Sequence, residues 1–315
     1  MTELSFREGG PADLRAAFEF GESAWDASRR RRGLIGPDQG RGGDEIHDEW
    51  ERSRGFIEFV AAQPDGSFWI CENGGEMVGY SSSSRFGVMD ELTELWVVPS
   101  HAGRGIGRAL LERIWPDSPT PDLGRVVVTL GTPVDLTLYT EFGVMPVAGH
   151  WHMRHRVDQY LEQRAQEVDA TEPAVHALTK ERAIAEWKRL EPAAIGHERP
   201  LLQDFFGRTR TCLGYLDPST GDTRALCWVS AEGDIGPAVA ETAEDLVPVV
   251  LAALDRIAKM QEPETFGVFC TTSSWWLLDR LRRLGFKVYW PAWVMSSVPL
   301  PGLDRYLPTR PARLL

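Results

Sequence analysis

The sequence predicts an α+β protein built from two tandem copies of one kind of domain. At 315 residues the chain is long for a single domain and long enough for two, each with its own core. Segments with strand-like and helix-like apolar spacing follow one another, and their order in the first half recurs in the second. Gly143 and Trp151 have counterparts 142 residues later in Gly285 and Trp293. This constant offset indicates an internal repeat.

Composition and charge narrow the class of function. The four cysteines lie in apolar runs without C-x-x-C spacing, which indicates buried thiols in a reducing compartment. The first residues lack the basic and apolar segments of a signal peptide, and no apolar run is long enough to cross a bilayer, so we expect a cytoplasmic protein. A net charge of −12 argues against nucleic acid as a partner and mildly favours a cationic substrate, although such a charge can also serve solubility alone.

In the first half, two helices are expected to precede a sheet. Apolar residues at helical spacing predict helices over Pro11–Trp25 and Asp44–Ala62. The basic run Arg29–Arg32 between them is expected in a solvated loop, with a clamp for an anion as the alternative. The remaining predicted elements of this half are a hairpin at 67–80, a strand at 91–98, a helix at 105–114, a strand at 125–130, a helix from Pro133 and a strand at 150–155.

The second half repeats this order. Helices are predicted at 174–190 and 246–257, a hairpin at 211–230 and a strand at 266–270. Polar and charged residues at 158–172 predict a linker or a connecting helix. We therefore expect one domain over residues 1–157 and a second, with a C-terminal tail, over 173–315.

One stretch carries a specific chemical signal. The apolar run Leu95–Val98 ends at Pro99, and Gly103, Gly105 and Gly107 follow before a helical pattern begins. This order predicts a strand, a glycine-rich loop and a helix N-terminus, whose unpaired N–H groups and dipole favour a phosphate. The stretch has neither the Lys-Ser/Thr pair of a Walker A loop nor the G-x-G-x-x-G spacing of a dinucleotide loop. An ordinary strand-to-helix turn is the alternative.

The stretch resembles the acetyl-CoA signature of the GNAT N-acetyltransferase superfamily, V-x-P-x-x-R-G-x-G-I-G-x-x-L-L. The matching positions are Val97, Pro99, Gly103, Gly105, Ile106, Gly107, Leu110 and Leu111. The chain departs from the family pattern at Ala102, where Arg or Gln is usual. A second family motif is similar at Tyr139 and Gly143, with Thr132 in the place of Asn and Val144 in the place of Phe.

The resemblance implies a fold and a co-substrate. Each copy is expected to be a mixed, mostly antiparallel twisted sheet flanked by helices, and the donor is expected to be acetyl-CoA, without a metal. The residues implied to hold the donor are Trp96, Val97, Val98, Gly103, Arg104, Gly105, Ile106, Gly107 and Arg108. The strand residues among them would offer backbone groups to the pantetheine arm and an N–H to the oxyanion.

The resemblance also implies transfer of the acetyl group to the primary amine of a small acceptor, which the sequence does not identify. Tyr139 is the expected general acid for the departing thiolate, and a merely packed tyrosine is the alternative. The expected general base is Glu91 or Glu94, with a chain of waters as a further alternative. Strand alternation places Glu94 on the face that carries Trp96 and Val98.

The second copy is expected to lack the donor site. The 142-residue offset places Glu241–Val249 opposite the glycine loop, where the chain has no glycine, and Leu281 opposite Tyr139. We therefore expect an intact N-terminal copy and a degenerate C-terminal copy, as a monomer or a homodimer. The runner-up function is a non-catalytic CoA-binding or protein-interaction module on a retained GNAT fold.

Two side-chain clusters remain. His150, His152 and His155 lie close together in sequence, but no cysteine or carboxylate nearby completes a tetrahedral zinc set, so no metal is expected. The aromatic residues of the C-terminal copy are expected mostly in its core and in packing between the domains, with a cage for a cationic or flat substrate as the alternative. These residues are Trp275, Trp276, Tyr289, Trp290 and Trp293.

Overall fold

The computed structural model describes residues 4–31, 33, 35–116, 118–120, 122–166, 175–261, 263–309 and 314–315. The chain divides into one unit of residues 1–85 and 90–123 and a second unit of residues 86–89 and 124–315. These units follow the packing of the chain, whereas the expected domains at 1–157 and 173–315 follow the sequence repeat and stay a prediction. Among the described helices, none has both the length and the apolar character that a membrane span needs.

The first unit is a sheet with helices on both faces. Its elements are β1 (Leu4–Glu8), α1 (Leu14–Arg31), α2 (Gly43–Ala61), β2 (Ser67–Asn73), β3 (Glu76–Phe86), β4 (Met89–Val97) and α3 (Ile106–Ile114). The strand order is β1-β2-β3-β4, and the pairs β1–β2 and β2–β3 are antiparallel. One face of the sheet packs with α1 through Ala17, Ile70 and Tyr80. The other face packs with α3, and its cluster contains Cys71, Val78, Ile106 and Leu110.

Two expectations for this unit were wrong. Strand β1 was not predicted, although Leu4 and Phe6 alternate with polar residues as in a half-buried strand. Helix α1 does not end near Trp25 but continues to Arg31, so the start of the predicted basic loop is helical. Arginines in a last helical turn are favoured by the negative end of the helix dipole. Arg32, the end of the predicted run, lies outside the described residues.

The second unit contains two antiparallel sheets. Its elements are β5 (Gly124–Thr129), α4 (Pro133–Glu141), β6 (Met145–Arg156), α5 (Val157–Ala165), β7 (Val175–Ala177), α6 (Lys180–Ile195), α7 (Pro200–Thr209), β8 (Arg210–Leu216), β9 (Thr223–Ser230), β10 (Ile235–Ala240), α8 (Ala243–Gln261), β11 (Thr265–Thr271), α9 (Trp275–Arg283), β12 (Lys287–Ser296) and β13 (Tyr306–Leu307). Strands of one sheet run in the order β5-β12-β6-β11, and those of the other in the order β13-β10-β9-β8-β7.

The sequence repeat is present in the order and bounds of the elements. Helix α9 begins and ends 142 residues after α4, and strand β12 begins 142 residues after β6. Each helix is followed by a glycine in the left-handed region, Gly143 at φ 78° and Gly285 at φ 82°. Only glycine takes this conformation without strain, so the two helices end in the same way.

A strand of the C-terminal copy completes a sheet of the N-terminal copy. Strand β12 lies between β5 and β6 and pairs with both. In the pairing with β6, Ala292 is the Cα partner of His150, and these two residues are themselves 142 positions apart. The local twofold axis that relates β6 to β12 therefore passes through this pair.

The two copies differ where the first has its glycine loop. Helix α3 has 9 residues and follows the loop, whereas α8 has 19 residues and begins three residues after β10 ends. Its first turns occupy the positions that the 142-residue offset places opposite the loop. The segment of the second copy that could have cradled a phosphate is therefore helical.

Three further expectations meet the structure in this unit. The first residues of the predicted linker form α5, and residues 167–172 lie outside the described residues. All four cysteines are buried free thiols, as expected. The aromatic residues expected in the core are mostly exposed, so that prediction was wrong. Trp290 is buried, whereas the exposed members are Trp275, Trp276, Tyr289 and Trp293.

Candidate active site

The predicted phosphate loop joins β4 to α3. After β4 the chain makes a short 3-10 turn at Pro99–His101, and Gly103 and Gly105 then have φ values of 76° and 80°. A Cβ at either glycine would meet no atom within 4 Å, so the backbone conformation and not a lack of space requires glycine there. Gly107, by contrast, lies in the first turn of α3.

The start of α3 can accept an anion. Gly105 caps the helix without a side-chain hydrogen bond, and the first intrahelical bond is donated by the N–H of Ala109 to the Gly105 carbonyl at 3.0 Å. The N–H groups of Ile106, Gly107 and Arg108 precede that bond and have no partner within the helix. Ile106 is buried and anchors the helix, while residues 102–105 and Arg108 are exposed. This pattern of free donors at an exposed helix N-terminus is suited to phosphate oxygens.

Arg104 adds a positive charge beside these donors. It is exposed and forms no ion pair with any residue that the structure describes. Ala102, at the position where the family has Arg or Gln, only donates its backbone N–H to the Pro99 carbonyl, at 3.2 Å. The loop thus offers backbone donors and one arginine that is not engaged elsewhere in the described chain.

Glu94 and Trp96 form a polar pair on the α1 side of β4. The Trp96 indole N–H donates a hydrogen bond to the Glu94 carboxylate at 2.5 Å. The Trp96 ring meets the edge of Trp25 from α1, with 6.3 Å between ring centroids, and lies close to Gly21 of the same helix. Val98, which strand alternation predicted on this face, lies beyond the end of β4 and packs on the α3 side instead.

The two candidate bases have different surroundings. Glu91 is 2% exposed and belongs to a run of four buried residues at the start of β4. Glu94 is only partly buried, with its carboxylate fixed by Trp96. A general base must reach a proton of the acceptor. On this criterion Glu94 is the better placed carboxylate of the two.

Tyr139, the predicted acid, belongs to α4 in the second unit. Its side chain is 5% exposed, and its phenol shares a hydrogen bond with the side chain of Thr129, the last residue of β5. Burial, with a contribution from the charge of Asp135, raises the pKa of Tyr139 well above its usual value. The phenol is therefore protonated at neutral pH, which is the form that an acid requires.

The start of α4 is fixed by a capping box. The Thr132 hydroxyl accepts a hydrogen bond from the Asp135 N–H at 3.1 Å, and the Asp135 carboxylate accepts one from the Thr132 N–H, also at 3.1 Å. Pro133 occupies the first helical position. The threonine in place of the family's asparagine thus holds the helix start, through a known stabilising motif.

The histidines do not form a metal site in the described part of the chain, where no group of three potential ligands meets. His150 is 1% exposed and stacks on Phe269, with 5.0 Å between ring centroids. His152 stacks on the same ring, with 4.5 Å between centroids. These two histidines line one face of the sheet beside an aromatic ring.

Sequence reasoning missed the position of Trp293. The residue is the Cα partner of Thr129 across the β5–β12 pair, and its indole lies against Gly131. The sequence places Trp293 in the C-terminal copy, far along the chain from Tyr139. Only the exchange of β12 brings it to β5, and the repeat by itself does not indicate that exchange.

Comparisons with known proteins fit this geometry. A family model described as an acetyltransferase (GNAT) domain matches residues 64–143, which contain both the glycine loop and Tyr139. Residues 64–143 are a GNAT domain. No curated protein matches the chain in sequence.

Solved structures extend the likeness to nearly the whole chain. A protein from Pyrococcus horikoshii is 17% identical, with a TM-score of 0.63 over 96% of this chain and 92% of its own. A tandem GNAT protein from the clavulanic acid biosynthesis pathway is 19% identical, with a TM-score of 0.58 over 94% and 99%. A GCN5-related N-acetyltransferase from Sphaerobacter thermophilus is 17% identical, with a TM-score of 0.55 over 94% and 96%. The fold is therefore that of the tandem GNAT proteins.

Proposed function

We propose that the protein is an acetyltransferase that moves an acetyl group from acetyl-CoA to the primary amine of a small acceptor. The observation that carries the proposal is the loop between β4 and α3, with its two left-handed glycines and the free N–H groups that follow. A GNAT domain with this loop has the donors that a pyrophosphate needs.

The donor is expected to bind along β4 and the loop. The N–H groups of Ile106, Gly107 and Arg108, together with the guanidinium of Arg104, would hold the pyrophosphate. Backbone groups of Trp96, Val97 and Val98 would hold the pantetheine arm. The acetyl group then supplies an electrophilic thioester carbon to the acceptor.

The chain's own residues handle two protons in this scheme. An ammonium has no lone pair, so the acceptor first gives a proton to a base, for which Glu94 is our choice because its carboxylate is less buried than that of Glu91. The amine nitrogen forms a bond to the thioester carbon, and the carbon–sulfur bond breaks. Tyr139 gives its phenolic proton to the leaving thiolate, and solvent restores that proton.

The acceptor is proposed to be a small amine, and a cationic one is favoured by the net charge of −12. The compartment is proposed to be the cytoplasm and the assembly a monomer or a homodimer. These points rest on composition and on the family resemblance.

The test is release of free CoA thiol from acetyl-CoA with a panel of primary amines. We expect turnover with at least one amine, and a loss of about 100-fold or more in kcat for Tyr139→Phe and Glu94→Gln. Tyr215→Phe, a change of the same kind on β8, is the matched control and should keep full activity. Full activity in Tyr139→Phe would remove the acid role, and full activity in Glu94→Gln would remove the base role.

A second candidate is a non-catalytic CoA-binding module. Two observations favour it: Ala102 stands where the family has a basic or amide side chain, and Tyr139 is buried with a raised pKa, which makes proton donation harder. Saturable acetyl-CoA binding without thiol release for any amine would support this candidate over the enzyme.

A further inference from the structure

The exchanged strand β12 carries an aromatic residue to the surroundings of Tyr139. Trp293 on β12 and Thr129 on β5 are Cα partners in an antiparallel pair, so their side chains point to the same face of the sheet. The Thr129 side chain is hydrogen-bonded to the Tyr139 phenol. The indole of Trp293 therefore lies one strand away from the group that holds the proposed proton donor.

Gly131 fixes the indole at the end of β5. A Cβ at Gly131 would overlap the Trp293 ring, so the absence of a side chain there makes room for the indole. Trp293 nevertheless remains 40% exposed. A large ring that is fixed on one side and open on the other is suited to contact with a ligand.

The repeat provides an internal comparison. Trp151 is the counterpart of Trp293 and lies on β6, which pairs with β11 as β12 pairs with β5. Trp151 packs against the apolar core of the second unit, and that core contains Leu281, the counterpart of Tyr139. The tryptophan is thus covered in the copy that lacks the tyrosine and exposed in the copy that has it.

We propose that Trp293, supplied by the C-terminal copy, contacts the acyl group of the donor and limits its length. The proposal rests on the proposed function, because it takes Tyr139 as the acid for the leaving thiolate. Such an acid lies within hydrogen-bond reach of the sulfur, and the acyl carbon is bonded to that sulfur. The acyl group is therefore close to the side chains around Tyr139, among which the Trp293 indole is the large exposed apolar one.

The contact can be tested by fluorine NMR on the full chain labelled with 5-fluorotryptophan. The Trp293 resonance is assigned by its loss in Trp293→Phe, which keeps an aromatic ring against Gly131. We expect this resonance to shift on titration with acetyl-CoA, with the dissociation constant that calorimetry gives. An unmoved Trp293 resonance, with saturable binding by calorimetry, would overturn the inference alone. Absence of binding by calorimetry would instead refute the proposed function on which the inference rests.

The limit on acyl length is tested with acetyl-CoA and butyryl-CoA. In Trp293→Ala the affinity for butyryl-CoA relative to acetyl-CoA should rise about tenfold over wild type, since two more methylene groups can be buried where the indole was. Trp275→Ala, which removes a tryptophan that is 69% exposed on α9, is the matched control and should leave the ratio unchanged. An unchanged ratio in Trp293→Ala, or an equal rise in the control, would contradict the role in specificity.

Discussion

Replacing His150 with leucine is expected to make the protein less sensitive to acid. His150 lies in β6 at the pair that the local twofold axis crosses, it is 1% exposed, and neither ring nitrogen has a hydrogen-bond partner among the described residues. Burial lowers the pKa of its imidazole to about 3, from an ordinary value of 6.5. The ring is therefore neutral in the folded protein over most of the acidic range.

The sign and size of the effect follow from this shift. A histidine with a lowered pKa binds fewer protons in the folded than in the unfolded state, so its effect on stability is constant above pH 6.5 and becomes unfavourable as the pH falls toward 3. At pH 5 the unfolded state gains about 2 kcal/mol relative to the folded state, from about 1.4 kcal/mol for each pH unit below 6.5. Leucine abolishes this penalty and also removes two unpaired buried nitrogens.

The measurement is urea unfolding of wild type and His150→Leu at pH 7.5 and pH 5. The difference in free energy of unfolding between the proteins should move by about 2 kcal/mol in favour of the variant between these two conditions. His197, whose pKa burial also lowers to about 3, is present in both proteins, so some acid sensitivity should remain in the variant. Parallel stability changes of the two proteins with pH would refute the reasoning.

Two further predictions concern the loop and a buried ion pair. Gly105→Ala should cost about 1 kcal/mol of stability and weaken acetyl-CoA binding, whereas Gly221→Ala, at a similar φ of 76° in a distant turn, should show the same strain with unchanged affinity; equal affinities in the two variants, by calorimetry, would contradict the role of the loop. Arg199→Met should lower the free energy of unfolding by about 3–5 kcal/mol, since it leaves the buried Glu191 carboxylate without its cation, and the double variant with Glu191→Leu should recover much of the loss; urea unfolding of both variants checks this, and a small loss in the single variant would argue against it.

The sequence predicted the features that depend on local order and on the repeat. The bounds of α4 and α9, the left-handed glycines that follow them and the loss of the glycine loop in the second copy all follow from residues close together in the chain or from the 142-residue offset. The conformations of Gly103 and Gly105 agree with the expected need for glycine. The role of these residues in donor binding stays a prediction.

The features that sequence reasoning missed depend on long-range pairing. Strand β1 is only five residues long, and it is stabilised by pairing with β2, some 65 residues away. The exchange of β12 is a choice between two similar strand partners, which periodicity does not distinguish. The aromatic residues of the C-terminal copy were expected in the core on composition alone, yet Trp293 is exposed because β12 lies at the edge of Gly131, which has no side chain to cover the ring.

Calorimetric titration of the full chain with acetyl-CoA tests the central claim most directly. The account predicts saturable binding with one site per chain, because only the first copy has the glycine loop and the second has the start of α8 in its place. Absence of binding, or binding of two molecules per chain, would contradict it.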